Sequence, residues 1–326
     1  MLVLDPDAGA ITHATIRDLP QYLAPGDLLV LNDSRVLPAR LLGRRSDGGD
    51  AEVLLLRPVD GDRHRWEALI RPGRRLEVGS QVRFESSALA VTIEERNPET
   101  AVIRLNGVAD PLAEVRRIGR MPTPPYIKEE LADGNRYQTV YAREEGSAAA
   151  PTAGLHFTPD LLSAVQHRGV GLAFVTLHVG LDTFRPVRTD DPAQHQIHRE
   201  WYRIDDASAR AISETRQQGK RVVAVGTTCV RVLESAATDE GVAAGEGWTG
   251  VFILPGYRFR VVDAVLTNFH LPKSTLLMLV SAFAGTELVL AAYAEAIARR
   301  YRFYSFGDCM LITTPHPDPP PQGGRE

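Results

Sequence analysis

Cysteine is nearly absent from this chain. Only Cys229 and Cys309 occur in 326 residues, which excludes a disulfide framework and a cysteine-rich zinc site. Long apolar runs are missing as well. The longest, Leu276 to Ala284, falls far short of the roughly 20 residues that span a bilayer. The N-terminus has neither the basic n-region nor the apolar h-region of a secretory signal. A cytoplasmic protein with no membrane partner is expected. Lysine is scarce too: Lys128, Lys220 and Lys273 are the only ones among 37 basic residues. Arginine therefore carries the positive charge and favours forked contacts to anions, although GC-rich coding gives the same signature. Against 41 acidic residues the net charge is −4, so a nucleic-acid contact must be a local patch. Several signatures are lacking: a Gly-x-Ser-x-Gly elbow, a Walker A loop and a complete Gly-x-Gly-x-x-Gly, since Gly169-Val-Gly171 runs on to Phe174. Their absence argues against serine hydrolases, P-loop NTPases and dinucleotide-type Rossmann sites.

What is present is ordinary globular material, 44% hydrophobic and 24% charged, enough for two domains at roughly 150 residues each. From Ala39 to Ile118 short strands are expected at Ala51–Leu56, Arg65–Ile70, Arg75–Val78, Gln81–Phe84, Leu89–Ile93 and Ala101–Leu105. Turn formers such as Asp60-Gly61 and Asn97-Pro98 separate them, and no helix-period segment interrupts. That rhythm predicts a small antiparallel barrel or sandwich. After Tyr137 strands alternate with helices. Helices are expected from Pro159 behind a Thr158 cap, over Asp206–Gln218, over Thr228–Ala236, from Pro272 to Ala284 and over Glu287–Tyr301. The intervening strands are Gly171–His178, Arg221–Val225 and Val261–Leu266, with a last one near Met310–Ile312. Such alternation implies a largely parallel sheet. The Asp27–Asn32 strand is expected to join it, making the barrel an insertion: an α/β domain over 1–38 and 119–312, the barrel over 39–118, and a disordered Pro-rich tail over 313–326.

In parallel sheets ligands bind beyond the carboxyl ends of the strands. Those ends carry Asn32-Asp-Ser-Arg35, His178-Val-Gly180, Gly226-Thr-Thr228 and Thr267-Asn-Phe-His270. Singly, each reads as readily as a cap or a satisfied loop residue; together they point to one polar pocket. Gly226-Thr-Thr228 opens a helix whose free N–H groups suit an anion, with Arg231 one turn on. The His195-Gln-Ile-His198-Arg-Glu200 cluster is not His-Glu-x-x-His and falls in a loop, so hydrogen bonding or acid–base work is expected there and no metal.

Ten stretches resemble the S-adenosylmethionine:tRNA ribosyltransferase-isomerase family of the queuosine pathway. They are Pro25–Arg40, Met121–Ile127, Tyr137–Tyr141, Ala149–Phe157, His178–Phe184, His195–Glu200, Gly226–Arg231, Leu254–Gly256, Thr267–Pro272 and Phe303–Asp308, and the likeness covers Leu2 to Ile312 in order. The resemblance implies an α/β barrel-like domain with an inserted antiparallel β-barrel. It also implies transfer of the ribosyl part of S-adenosylmethionine to 7-aminomethyl-7-deazaguanine at a tRNA wobble position. Its product is epoxyqueuosine-tRNA, with release of adenine and methionine. S-adenosylmethionine is then a substrate, with no further cofactor and no metal. Family members open with a segment ahead of Leu2 that is absent here, Asp182 replaces a small residue, and the proline tail has no counterpart.

On this reading His178 and His270, with His156 third, are the candidates for proton transfer, because neutral imidazole titrates near working pH. Thr227, Thr228 and Arg231 would hold the methionine carboxylate or a tRNA phosphate. Asn32, Asp33 and Arg35 would bond ribose, adenine or the modified base. Tyr137, Gln138 and Tyr141 would touch an extruded base, although core packing explains both tyrosines equally well. Glu200 and Asn268 complete the substrate-binding set. A monomer is expected. Two alternatives stay open: another nucleoside-processing α/β enzyme, and a non-catalytic RNA-binding protein on the same scaffold.

Overall fold

A computed structural model describes residues 1–59, 61–124, 126–127, 131–180 and 199–314. They form two compact units, one of residues 1–34, 139–143 and 151 onward, the other of residues 35–138 and 144–150. The Asp182 position, the His195–His198 segment and most of the proline tail lie outside the described residues.

The first unit is built on a nine-stranded sheet in the order Gly245–Thr249, Glu200–Ile204, Gly171–Leu177, Leu28–Asn32, Val222–Val225, Ala264–Asn268, Cys309–Ile312, Leu2–Asp5, Ala10–His13. The strands from Gly171–Leu177 to Ala264–Asn268 run parallel. Leu28–Asn32 is buried along its whole length, as a continuous apolar run in a covered sheet should be. The flanks are mixed where a largely parallel sheet was expected. At one edge the reason is length, since Pro6 to Gly9 suffices for a hairpin but not for a parallel crossover. Leu29, Leu31, Val223, Val225, Leu266 and Leu311 share one core with Leu161 and Val165 of the Pro159–His167 helix.

Several elements sit where their signals placed them. The Thr158 hydroxyl accepts from Leu161 N–H, with Pro159 at the first helical position and Gly169 at φ 82° after the end. Two expected starts move. The strand expected at Val261 begins at Ala264, because the Glu234 carboxylate captures the N–H groups of Val261 and Val262 at 3.0 and 3.1 Å. The helix expected from Pro272 begins at Thr275, where the Ser274 hydroxyl accepts from Leu277 N–H. No single helix among the described residues is long and apolar enough to cross a membrane. The apolar helices Thr275–Ala284 and Thr286–Ala298 meet at a 113° bend.

The second unit is a closed antiparallel barrel in the order Ala101–Asn106, Asp62–Arg71, Asp50–Val59, Arg40–Arg45, Gln81–Arg83, Ala90–Arg96. Closure leaves no unpaired edge. Leu41, Val53, Leu55, Ala68, Val82, Val91, Ile103 and Leu105 are buried in it. One expected strand, Arg75–Val78, is instead a 3-10 turn at Gly73–Arg75 followed by a loop, and Arg40–Arg45 takes its place. A helix does interrupt the strand-rich region, at Pro111–Ile118, with Asp110 capping Ala113 N–H. Its Asp-Pro start is a legible signal.

Candidate active site

The parallel strands Gly171–Leu177, Leu28–Asn32, Val222–Val225 and Ala264–Asn268 are neighbours in that order. His178, Asn32-Asp33, Gly226-Thr227 and Asn268 through His270 therefore emerge side by side along one edge, as the strand-end argument requires.

Asn32 ties this edge together. Its Nδ2 donates to the Leu177 carbonyl and the Thr228 hydroxyl at 3.1 and 3.3 Å, and its Oδ1 accepts from the N–H groups of Leu177 and Ser34. The amide is fully used within the protein, so it acts as a splint between two strands and the following helix. Asp33 is also buried, accepting from the Thr176 hydroxyl at 2.8 Å and the Arg143 guanidinium at 2.8 Å. That guanidinium lies 4.7 Å from the Phe174 ring centre. Arg143 was not singled out in the sequence, and no local signal marks it, because its partner is 110 positions away.

Gly226 caps the Thr227–Ser235 helix at φ 87° and offers no side-chain cap, so among the described residues no cap side chain occupies the first-turn N–H groups. Thr227, Thr228 and Arg231 are all buried in this helix. Arg231 bonds Glu200 from its Nη1, and Glu200 also accepts from Gly180 N–H at 2.8 Å. The strand that carries Glu200 holds His178 from two further sides. Trp201 accepts from His178 N–H at 3.0 Å through its carbonyl and stacks its ring on the imidazole at 5.0 Å.

Asn268 donates from Nδ2 to the Tyr304 carbonyl at 2.9 Å and to His156 Nε2 at 3.4 Å. His156 is thus an acceptor at that nitrogen, and its proton sits on the other. His270 contacts the Thr267 hydroxyl through Nε2 at 3.0 Å, and its backbone N–H bonds Tyr293. Burial lowers both imidazoles to about 4. In the unfolded chain they titrate near 6.5. Between about pH 6.5 and 4 the unfolded state therefore takes up protons that the folded state refuses, and stability falls as pH falls. The thermal midpoint is expected to drop across that window, with a smaller drop in His270→Gln; equal profiles for the two proteins would contradict it. Both cysteines are buried and free. Burial pushes the Cys309 thiol up to about 12 and the Cys229 thiol up as well, so neither supplies a thiolate.

Tyr141 packs on Phe174 at 5.8 Å, and burial holds its phenol well above the usual range. Its hydroxyl and the Thr139 methyl press on Gly154, where an added Cβ would lie 2.1 Å from Tyr141 Oη and 2.7 Å from Thr139 Cγ2. Glycine is required there. Among the described residues Ser34 Oγ, Thr139 Oγ1, Tyr141 Oη, Arg231 Nη2 and Asn268 Oδ1 are buried without a hydrogen-bond partner. Buried polar atoms are rarely left this way unless a ligand or water meets them.

The remaining candidates belong to the second unit. Gln138 exchanges two hydrogen bonds with the Val36 backbone, at 3.0 and 2.8 Å, and so stands in for a strand neighbour. Tyr137 is completely buried and Arg35 is partly exposed. No group of three or more His, Cys, Asp or Glu side chains able to hold a metal forms among the described residues.

A parallel-strand edge bearing neutral His270, with neutral His156 bonded to its Asn268, an uncapped helix start and unpartnered buried donors and acceptors defines an α/β enzyme built for a polar ligand. The family is particular. The chain belongs to the queuosine biosynthesis protein family, whose model matches residues 1–312. It is 54% identical over 317 residues to the S-adenosylmethionine:tRNA ribosyltransferase-isomerase of Symbiobacterium thermophilum, covering 96% of this chain and 92% of that relative. The same shares are covered at 53% identity over 316 residues by the enzyme of that name from Moorella thermoacetica. Among solved structures, the S-adenosylmethionine tRNA ribosyltransferase of Thermotoga maritima is 36% identical with a TM-score of 0.53, over 95% of this chain and 91% of that one.

Proposed function

We propose that this chain transfers and isomerises the ribosyl moiety of S-adenosylmethionine onto 7-aminomethyl-7-deazaguanine in tRNA, giving epoxyqueuosine-tRNA, adenine and methionine. One observation carries the reading: Ser34 Oγ and Asn268 Oδ1 are buried without a partner among the described residues at strand ends along one edge, and Arg231 Nη2 likewise in the Thr227–Ser235 helix, in a chain whose relatives are named S-adenosylmethionine:tRNA ribosyltransferase-isomerase. The sulfonium acidifies the neighbouring 5′ carbon, so a neutral imidazole can remove a proton there and leave an ylide. The bond from ribose to adenine breaks and adenine leaves with the electron pair. The substrate amine forms the new carbon–nitrogen bond. Ring and epoxide closure then breaks the carbon–sulfur bond and releases neutral methionine. Each step is proton transfer or heterolysis, so S-adenosylmethionine enters as a substrate and the sequence of steps calls for no redox partner.

His270 suits the base: it is neutral at working pH, and its Nδ1 makes no hydrogen bond among the described residues. The uncapped N–H groups at Thr227 and the buried Arg231 suit the methionine carboxylate. The test is incubation with S-adenosylmethionine and tRNA bearing 7-aminomethyl-7-deazaguanine. Adenine and methionine are expected in equal amounts, each matching the modified tRNA. tRNA bound tightly with no adenine released would leave an RNA-binding protein on an enzyme scaffold.

A further inference from the structure

We infer that one end of the barrel, bearing Arg71, Arg74, Arg75 and Arg96, docks the phosphodiester backbone of the RNA; the inference rests on the functional reading above, in which the substrate is a tRNA. Many arginines of the barrel unit are neutralised, although Arg35, Arg63 and Arg83, like the four named first, pair with no carboxylate among the described residues. Arg40 pairs with Glu52 at 3.4 Å, Arg44 with Asp50 and Glu85, Arg57 with Glu67 at 2.7 Å, and Arg65 with Glu94 and Glu95. Arg104, Arg116 and Arg117 pair with Glu94, Glu145 and Glu114. The four arginines named first are exposed, and none has a carboxylate partner among the described residues.

They also lie together. Arg71 ends one strand, Arg74 and Arg75 form the last turn of the Gly73–Arg75 element, and Arg96 ends the Ala90–Arg96 strand. Arg96 Nη2 comes within 3.7 Å of where a Cβ on Gly73 would stand, which brings that guanidinium to the turn. Three carboxylates around this end are already engaged. Glu52, opposite Arg71 across the strands, holds Arg40, while Glu67 holds Arg57 and Glu95 holds Arg65. Exposed Glu77 bonds none of the four.

Four like charges left close together without ion-pair partners repel one another, so their placement fits a polyanion. The guanidinium fork matches two phosphate oxygens at once. An acidic protein fits less well, because among the described residues Val78 is the only large apolar side chain exposed near this turn, too little for the apolar centre of a protein interface.

The test follows tRNA binding by the full chain as salt rises. It compares wild type with the Arg71→Gln, Arg74→Gln, Arg75→Gln, Arg96→Gln variant and with the matching fourfold Arg→Lys variant. The glutamine variant is expected to keep the wild-type unfolding midpoint and to bind at least about 10-fold more weakly near physiological salt. Its slope of log affinity against log salt should be shallower by about 3, the loss of up to four phosphate contacts. The lysine variant should retain most of that slope. At saturating tRNA the glutamine variant should release adenine at the wild-type kcat with a raised KM for tRNA. Wild-type affinity and slope in the glutamine variant overturn the patch, and so does weaker binding with an unchanged slope. Wild-type protein that binds tRNA with the expected slope but releases no adenine leaves the patch standing and removes the enzymatic reading. Wild-type protein that binds no tRNA removes both.

Discussion

The His270→Gln variant is expected to release adenine about 100-fold more slowly than wild type, or slower still, while unfolding at nearly the same temperature. That is the usual scale for losing a positioned general base. The imidazole sits just past the end of the Ala264–Asn268 strand, with Nε2 against Thr267 and Nδ1 left for a ligand. Glutamine is close in length and keeps an amide able to bond Thr267, so the fold should survive. The same substitution at His178 should cost a similar factor, because Trp201 fixes that ring by stacking and holds the His178 backbone N–H with its carbonyl. Single-turnover adenine release measures both. A base whose imidazole titrates near 4 also moves the acid limb of the rate profile well below the ordinary histidine range. Near-wild-type rates in both variants would pass the role to His156 or Glu200. His156 Nε2 already accepts from Asn268, and Glu200 already holds Gly180 and Arg231, so each would have to give up a bond to serve.

Glu200→Ala should be the most damaging single change to stability, about 3–5 kcal/mol in denaturant unfolding, because it strands the buried Arg231 cation. The pair is enclosed, with both side chains 7% exposed. The Gly180 N–H would lose its acceptor as well. Arg231→Met in the same chain should recover much of the loss, since two buried charges are then absent instead of one. A Glu200→Ala midpoint within 0.5 kcal/mol of wild type, taken as the scale of an ordinary surface substitution, would mean that water reaches Arg231.

How legible all this was depends on distance along the chain. The Pro159–His167 helix was readable because Thr158, Pro159 and Gly169 are local signals, and the four central strands because each is a short apolar run between breakers. The shifts at Val261 and Pro272 were not, since carboxylate and hydroxyl caps decided them, and Glu234 lies 27 positions from the N–H it captures. Arg40–Arg45 hid its strand behind charges that meet carboxylates on the neighbouring strand or in the adjoining turn. In the site the strand-end rule gathered His178, Asn32, Thr227 and His270 correctly along one edge. It gave no hint that Asn32 spends its whole amide inside the protein, or that Arg143 answers Asp33. Partners of that kind exist only after the sheet has formed.

The strand Cys309–Ile312 lies inside the sheet, between Ala264–Asn268 and Leu2–Asp5. The Leu2–Asp5 strand is therefore made long before the neighbour that joins it to the sheet, and the strand bearing Asn268 keeps an unpaired flank until that neighbour emerges. During synthesis the nascent chain carries the Leu2–Asp5 and Ala10–His13 hairpin as an unmoored ribbon, while the barrel, continuous from Arg40 to Asn106, has all its strands in hand much earlier. Birth order and spatial order diverge at this edge, so the sheet closes here only when one four-residue strand seats between two partners laid down before it.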